Sequence, residues 1–334
     1  MQKVRWGILG VARIATNKVI PAMQQGQLTE VVAIASRDGA KAEEAALRLG
    51  IPKAYGSYEE MLADPEIEAI YNPLPNHLHV PWSLRAAEAG KHVLCEKPLG
   101  MNAAEVRVLM EARDRAGVTI GEAFMVQTHP QWVRVVELVR SGRIGRLRSA
   151  VGTFSYFNLS AANIRNHREY GGGALMDIGC YPIKCSRMVF GEEPVRVSAT
   201  IARDPRVDSV DVLTSAILEY PSGHCVFTAS TQIPLQQSMC FYGETGRIHP
   251  EIPFNALPGE VSRVIIDDGR DLIGTGRVVE EIAACDQYTI QGDLFSRAIR
   301  SGSPPPVPLE DALLNMRVID AVFRAAETGQ WERP

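Results

Sequence analysis

The chain has 334 residues, a formal net charge of −4 and 46% hydrophobic residues. This length predicts about two domains with sizeable cores. The slightly acidic balance, without a Lys/Arg stripe, argues against a nucleic-acid partner, and no apolar run approaches the ~20 residues that span a bilayer.

The six cysteines are scattered along the chain, without a Cys-x-x-Cys pair or a metal-ligand spacing. We therefore expect reduced thiols, a cytoplasmic protein and no bound metal. The chain begins directly with a strand-like run, so we expect no signal peptide.

The first predicted strand, 4–9, runs into the segment GVARIA at 10–15. A strand, a Gly-rich turn and a helix are typical of a dinucleotide-binding unit, because N–H groups at the helix start receive a pyrophosphate. The pattern G-x-G-x-x-A is imperfect, since Ala stands where the second Gly belongs. The motif alone is equally compatible with an ordinary strand–turn–helix. On the cofactor interpretation, the contacts are Gly10, Ala12, Arg13 and Ile14.

The second predicted strand, 31–35, ends at Ser36-Arg37, with Lys41 one helical turn further on. The end of this strand faces the adenine ribose in a Rossmann domain. A small residue followed by Arg leaves space and charge for the 2′-phosphate of NADP, whereas an acid there favours NAD. The alternative is a solvated basic face. Together with the first motif, the pattern favours NADP over NAD.

Strand and helix signals continue to alternate up to residue 122, which predicts a doubly wound parallel sheet in a dinucleotide-binding domain, 1–122. Two strand ends carry polar groups. The fourth ends in PLPNH at 73–77, a rigid turn that we place along the nicotinamide. The fifth ends in Glu96-Lys97-Pro98. An ammonium near the nicotinamide would have a lowered pKa suited to acid–base work, although a Lys at a strand end is usually solvated.

After residue 123 long β-rich runs separated by tight-turn signals predict a mostly antiparallel open sheet. We therefore expect a second α+β domain, 123–334, for substrate binding and oligomerisation. One helix, 174–190, follows three glycines at 171–173. It places Asp177 and Tyr181 four residues apart on one face, where an acid and a phenol address a substrate hydroxyl. Gly173 and Gly179 are expected to let the helix and the cofactor approach each other closely. The alternative is an amphipathic helix with a surface Asp and a half-buried Tyr.

In order and spacing, the segment GILGVARIA, the Glu-Lys-Pro at 96–98, EAFM at 122–125 and GGGALMDIGCYP at 171–182 resemble the Gfo/Idh/MocA oxidoreductase family. The chain is most similar to the branch that holds glucose–fructose oxidoreductase, NADP-dependent D-xylose dehydrogenase and dimeric dihydrodiol dehydrogenase. The resemblance implies a Rossmann domain followed by an α+β domain, with Lys97, Asp177 and Tyr181 as the catalytic group. Lys184, one turn past Tyr181, departs from the His or Asn that is frequent there.

The resemblance also implies the remaining site residues. The cofactor would contact Ser36, Arg37, Lys41, Leu74, Pro75, Asn76, His79, Glu96 and Lys97, and the substrate would contact Lys97, Phe154, Arg165, Asn166, Asp177 and Tyr181.

The leading hypothesis is hydride transfer between NADP and a secondary alcohol or hemiacetal carbon of a sugar-like substrate, such as D-xylose or a related polyol or dihydrodiol. Either Tyr181 or Lys97 removes the hydroxyl proton. The alternative is an NADP-sensing regulator without turnover. We also expect a homodimer or homotetramer formed through the second sheet. The Lys97–Pro98 peptide is predicted to be cis, because Lys97 must turn back immediately after a strand.

Overall fold

The computed structural model describes all residues from Met1 to Pro334. The strands are β1 (Val4–Leu9), β2 (Thr29–Ala35), β3 (Lys53–Tyr55), β4 (Ala69–Asn72), β5 (His92–Glu96), β6 (Ile120–Ala123), β7 (Leu147–Phe157), β8 (Arg196–Arg203), β9 (Asp211–Glu219), β10 (His224–Ser230), β11 (Gln232–Gly243), β12 (Arg247–Pro250), β13 (Ser262–Asp267) and β14 (Arg277–Ile282). The α-helices are α1 (Ile20–Gln24), α2 (Gly39–Leu49), α3 (Tyr58–Ala63), α4 (His79–Glu88), α5 (Ala103–Ala116), α6 (Pro130–Arg140), α7 (Cys180–Phe190), α8 (Gln287–Ser301) and α9 (Leu309–Thr328). Two π-helical segments, Ala15–Val19 and Leu175–Gly179, precede α1 and α7.

The first sheet has the strand order β3-β2-β1-β4-β5-β6, and every pair is parallel. This is the order of a dinucleotide-binding doubly wound sheet, in which ligands bind at the carboxyl ends of the strands. β1 and β4 are almost wholly buried, because helices cover both faces of such a sheet. The predicted Rossmann fold is confirmed.

Local capping residues set the bounds of several helices. Ser57 accepts a hydrogen bond from the Glu60 N–H at the start of α3, and Asn102 accepts one from the Glu105 N–H at the start of α5. α5 ends at Gly117, whose φ of 65° lies in the left-handed region that favours glycine.

The second sheet has eight strands in the order β14-β13-β12-β11-β7-β10-β9-β8. β7 and β10 are parallel, and the other neighbours are antiparallel, so the predicted mostly antiparallel sheet is confirmed. The β-rich runs predicted from the sequence end at residue 242, and the structure adds β12, β13 and β14 after them.

The chain forms two compact units that do not coincide with one cut after residue 122. The first unit contains Met1–Met125 and Asp286–Leu313, and the second contains Val126–Cys285 and Leu314–Pro334. Residues 286–313, which the sequence predicts in the second domain, include α8, and α8 packs in the first unit.

The contacts of α8 explain this assignment. The Asp293 carboxylate accepts hydrogen bonds from the N–H groups of Gln27 (2.9 Å) and Leu28 (2.7 Å), just before β2. The indole of Trp6 in β1 donates to the Ser296 hydroxyl at 3.1 Å and packs on Phe295. α8 therefore covers apolar surface of the first sheet that would otherwise face water.

Candidate active site

The loop after β1 has the geometry of a pyrophosphate cradle. Gly10 has a φ of +79°, and a Cβ at this position would lie 3.0 Å from the Leu74 side chain. Only glycine fits there comfortably. The Gly10 N–H donates to the Ala35 carbonyl of β2 at 2.8 Å, which ties the turn to the sheet.

The helix start after this turn offers backbone donors. The Thr16 N–H donates to the Ala12 carbonyl at 3.0 Å, and the N–H groups that precede the first helical hydrogen bond have no acceptor within the helix. Ala12, Arg13 and Ile14 supply these N–H groups. Their placement after a glycine turn fits the pyrophosphate of a dinucleotide.

The end of β2 carries the predicted basic pair, but its two members have different surroundings. Arg37 lies near the hydroxyl of Tyr58, whose pKa is raised chiefly by burial and is lowered to a smaller extent by the Arg37 charge. Lys41 lies 3.2 Å from the Asp38 carboxylate in an exposed pair. Asp38 also caps α2, and its N–H donates to the Ser36 hydroxyl at 3.1 Å. Asp38 is therefore engaged with Lys41 and with the start of α2.

The turn after β4 is fixed from beneath by buried polar side chains. The Asn72 amide donates to the His79 carbonyl at 3.0 Å, and its oxygen accepts from the Leu74 N–H at 3.3 Å. Leu74 is buried, while Pro75 and Asn76 are half-buried at the rim of the sheet. The predicted rigid turn after the fourth strand is therefore held in one conformation.

His79 joins this turn to the next strand end. Its Nε2 lies 2.7 Å from the Leu74 carbonyl oxygen and its Nδ1 lies 2.8 Å from that of Pro98. The two carbonyls favour the imidazolium, but burial is the larger effect and lowers the pKa of His79 to about 4. Since a neutral imidazole carries one N–H, one of the two contacts is a donated hydrogen bond at pH 7. Both nitrogens face backbone, so His79 holds two loops together.

Glu96 organises the loop that carries Lys97. Its Oε1 accepts from the Tyr71 hydroxyl at 2.6 Å, and its Oε2 accepts from the Lys97 N–H at 3.2 Å. Burial, reinforced by the Glu96 charge, raises the pKa of Tyr71 well above its ordinary value, and Tyr288 of α8 is affected in the same way. The Lys97–Pro98 peptide is cis, so that prediction is confirmed.

In the second unit, Asp177 forms the centre of a charged cluster. Its Oδ1 lies 2.8 Å from Nε of Arg165, and its Oδ2 accepts from the Tyr156 hydroxyl at 2.7 Å. The Asp177 charge raises the pKa of Arg165, and burial with the same charge raises that of Tyr156. The structure thus brings the predicted Arg165 and Asp177 together, and this arrangement suits Asp177 to orient neighbouring groups.

Tyr181 lies at the start of α7 and is 5% exposed. Its ring contacts those of Phe154 and Phe254 with centroids 5.3 Å apart in both pairs, and Phe154 stacks on Phe254 at 4.8 Å. Phe154 therefore packs against Tyr181 and restricts its ring. Lys184, which stands where the resembled family frequently has His or Asn, is buried in the same helix.

The glycines before α7 serve a different purpose from the predicted one. A Cβ on Gly173 would lie 1.9 Å from Oδ1 of Asp211, and one on Gly179 would lie 2.9 Å from Leu175. Protein atoms thus fill the space that the sequence analysis reserved for a closely approaching cofactor. That expectation is corrected, because the glycines allow segments of the second unit to pack on one another.

Sequence reasoning missed Tyr71, Tyr156, Asp211 and Tyr288. A signal existed for Tyr156, since it lies two residues after Phe154 in a predicted strand and therefore faces the same side. The others reach their partners only through the tertiary fold.

The structure contains no helix that is both long enough and apolar enough to cross a bilayer.

The chain is similar to known oxidoreductases over nearly its whole length. The chain is 49% identical to an uncharacterized oxidoreductase of Rhizobium meliloti, with 99% of each chain covered. It is 41% identical to a D-xylose 1-dehydrogenase (NADP⁺) of Haloferax volcanii, with 97% of this chain and 98% of the relative covered.

Among solved structures, a 3-ketoreductase of Actinomadura kijaniata in complex with NADP and TDP-benzene is 31% identical. The two structures match with a TM-score of 0.90 over 97% of this chain and 98% of the other. Residues 4–124 match the Gfo/Idh/MocA oxidoreductase family with its NAD-binding Rossmann fold, and residues 132–249 match the Gfo/Idh/MocA C-terminal domain. The chain therefore belongs to the Gfo/Idh/MocA family of NAD(P)-binding oxidoreductases.

Proposed function

We propose that this enzyme is an NADP-dependent dehydrogenase of an aldose or related polyol. The observation that carries the proposal is its 41% identity to a D-xylose 1-dehydrogenase (NADP⁺) over nearly the whole of both chains. The solved 3-ketoreductase with NADP supports the cofactor. At the end of β2, the small residue Ser36 in place of an acid, followed by Arg37, supports NADP over NAD.

When bound, NADP would accept the hydride from the substrate carbon. If Tyr181 takes the hydroxyl proton, it does so as the phenolate while the Lys97 ammonium stabilises the developing alkoxide; if Lys97 is the base, it takes the proton as the neutral amine and becomes the ammonium. Which of the two is the formal base stays open. Asp177 is assigned to orient the site, since both of its oxygens are engaged by Arg165 and Tyr156.

A buried acceptor favours a hydroxyl-rich substrate. Asn166 is 2% exposed and follows Arg165 in a short 3₁₀ turn. Its Nδ2 donates to the Ser160 carbonyl at 2.9 Å, whereas its Oδ1 has no hydrogen-bond partner. Leaving a buried acceptor unpaired costs about 1–3 kcal/mol, and a sugar hydroxyl is the donor that we propose for it.

The test measures NADPH formation at constant pH across D-xylose, D-glucose, myo-inositol and trans-1,2-dihydrobenzene-1,2-diol. We expect an aldose to give the highest kcat/KM, with NADP preferred to NAD. The Lys97→Met variant is the matched control, because it should bind NADP without turnover. Tight NADP binding by the wild type without turnover of any alcohol would instead support the NADP-sensing regulator.

We also propose a cytoplasmic homodimer or homotetramer, formed through the second sheet. All six cysteines are free thiols, as is typical of reducing compartments.

The oligomer interface is proposed on an exposed apolar row of the second sheet. Val151, Val226 and Ile217 lie directly opposite one another on β7, β10 and β9, and each is about 40% exposed (43%, 38% and 39%). A second copy of the sheet would cover this apolar row. Val226→Lys should then lower the mass measured by light scattering, and a monomeric wild type would contradict the proposal.

A further inference from the structure

The buried carboxylate of Asp211 lies at the start of β9 and is 2% exposed. Its Oδ2 accepts from the Leu175 N–H at 2.7 Å and from the Thr214 hydroxyl at 2.9 Å. Leu175 is the first residue of the π-helical segment that contains Asp177. The first N–H groups of a helix have no acceptor within the helix. The Asp211 carboxylate in β9 therefore accepts the hydrogen bond of the Leu175 N–H.

Gly173 provides the space for this carboxylate. Its φ is +110°, and a Cβ there would lie 1.9 Å from Oδ1 of Asp211 and 2.9 Å from its Cγ. Both the backbone conformation and the available space therefore require glycine. Gly173 and Asp211 form one interlocked contact.

The same contact is linked directly to the charged cluster. The Gly173 N–H donates to the Arg165 carbonyl at 2.8 Å, and the Gly173 carbonyl accepts from the Asp177 N–H at 3.1 Å. Gly173 thus lies between the two residues whose side chains form the 2.8 Å ion pair. Displacing Gly173 would move both members of that pair.

We propose that Asp211 is a positioning residue, whose carboxylate, seated on Gly173, fixes the first turn before α7 so that Asp177 meets Arg165 and Tyr181 is presented to the substrate. Asp211 acts through backbone and makes no substrate contact in this scheme. The inference rests on the proposed function only for its activity measurement.

The test compares Asp211→Ala with Asp211→Asn. Asp211→Ala removes the acceptor of the Leu175 N–H and should lower kcat about ten- to a hundred-fold, the range for a hydrogen bond to a charged group. NADP affinity should stay within about two-fold, because the cofactor residues lie on the first unit. Asp211→Asn keeps an amide oxygen for Leu175 and should recover most of the activity. Asp267→Ala, which removes a buried acid from β13, is the matched control and should leave kcat unchanged.

Gly173→Ala perturbs the same contact through the glycine and leaves Asp211 in place. It tests the proposed role of Asp211 even if Asp211→Ala does not fold. It must displace the carboxylate, so kcat should fall with NADP affinity unchanged. In the Asp211→Ala background the same substitution should cost less, because the clash with the carboxylate is gone. Equal losses in the two backgrounds would contradict the interlocked contact.

A further measurement does not depend on turnover. Amide hydrogen exchange of the peptide 173–181 should be faster in Asp211→Ala than in the wild type and near normal in Asp211→Asn, with peptides of the first sheet unchanged. If the wild type turns over no alcohol, the proposed function fails while exchange still tests Asp211. Unchanged exchange in Asp211→Ala, equal kcat losses in the Ala and Asn variants, or parallel losses of kcat and NADP affinity would overturn the inference.

Discussion

Replacing Asp211 by Asn should change how the stability of the protein depends on pH. Burial raises the pKa of Asp211 to about 6, against the smaller opposing effects of the Leu175 N–H, the Thr214 hydroxyl and Arg203. In the unfolded chain the pKa is about 3.9. Because the folded-state pKa is the higher one, the contribution of Asp211 to stability is present below about pH 4 and is lost as the pH rises through about 6. The shift of roughly two units corresponds to about 3 kcal/mol.

The assay is urea unfolding of wild type and Asp211→Asn between about pH 4 and pH 7.5, followed by tryptophan fluorescence. Taking the difference between the two proteins at each pH cancels the titration of all other groups. The free energy of unfolding of the variant, relative to wild type, should rise by about 2.4 kcal/mol across this range, because a small part of the contribution is already lost at pH 4.

Asp267→Asn is the control of opposite sign, because the Gly269 N–H and then Arg247 lower the pKa of Asp267. The contribution of Asp267 is present at neutral pH and is lost on acidification, so its Asn variant should show no such rise. A difference for Asp211→Asn that stays constant within about 0.5 kcal/mol would refute the reasoning about burial.

Three further predictions concern the proposed reaction. Arg37→Ala should weaken NADP binding about ten- to a hundred-fold and barely affect NAD, since one charge-assisted hydrogen bond is lost; calorimetry measures both, and equal binding of the two cofactors by the wild type would contradict the assignment. Lys97→Met and Tyr181→Phe should each lower turnover about 10²–10⁴-fold while NADP still binds, and near-normal steady-state rates in both would remove them from the chemistry. Tyr156→Phe deletes the donor to the Asp177 carboxylate at 2.7 Å and should lower kcat about ten-fold with an unchanged KM for NADP. A kcat within two-fold of wild type would show that this hydrogen bond does not orient the site.

The first sheet was predictable because its signals are local. β1, β2, β4 and β5 are short, mostly apolar runs that end at turns, as at Gly10, and the parallel order follows from the alternation with helices. By contrast, β12 and β14 mix charged residues with apolar ones, so neither stands out as an apolar run. The place of β12, β13 and β14 follows from pairing with their neighbours in the sheet.

The site likewise contains residues that the sequence reveals and residues that it does not. Strand-end motifs such as Glu96-Lys97-Pro98 are contiguous and visible in the sequence. The groups that orient them are distant along the chain: Tyr156 lies 21 residues from Asp177, Tyr71 25 residues from Glu96, and Asp211 36 residues from Leu175. Spacing rules for a helix or a strand do not reach these separations. Only the folded sheet brings them together.

The packing of α8 in the first unit has a consequence for biosynthesis. The ribosome completes all six strands of the first sheet by Ala123, but α8 is translated only at 287–301. This helix accepts hydrogen bonds from Trp6 and from the loop before β2. At about 5–20 residues per second, the nascent sheet waits roughly ten to thirty seconds for its cover. A gene fragment that ends at residue 125 would therefore encode an exposed apolar surface, and one that fuses 286–313 after a linker restores the missing piece.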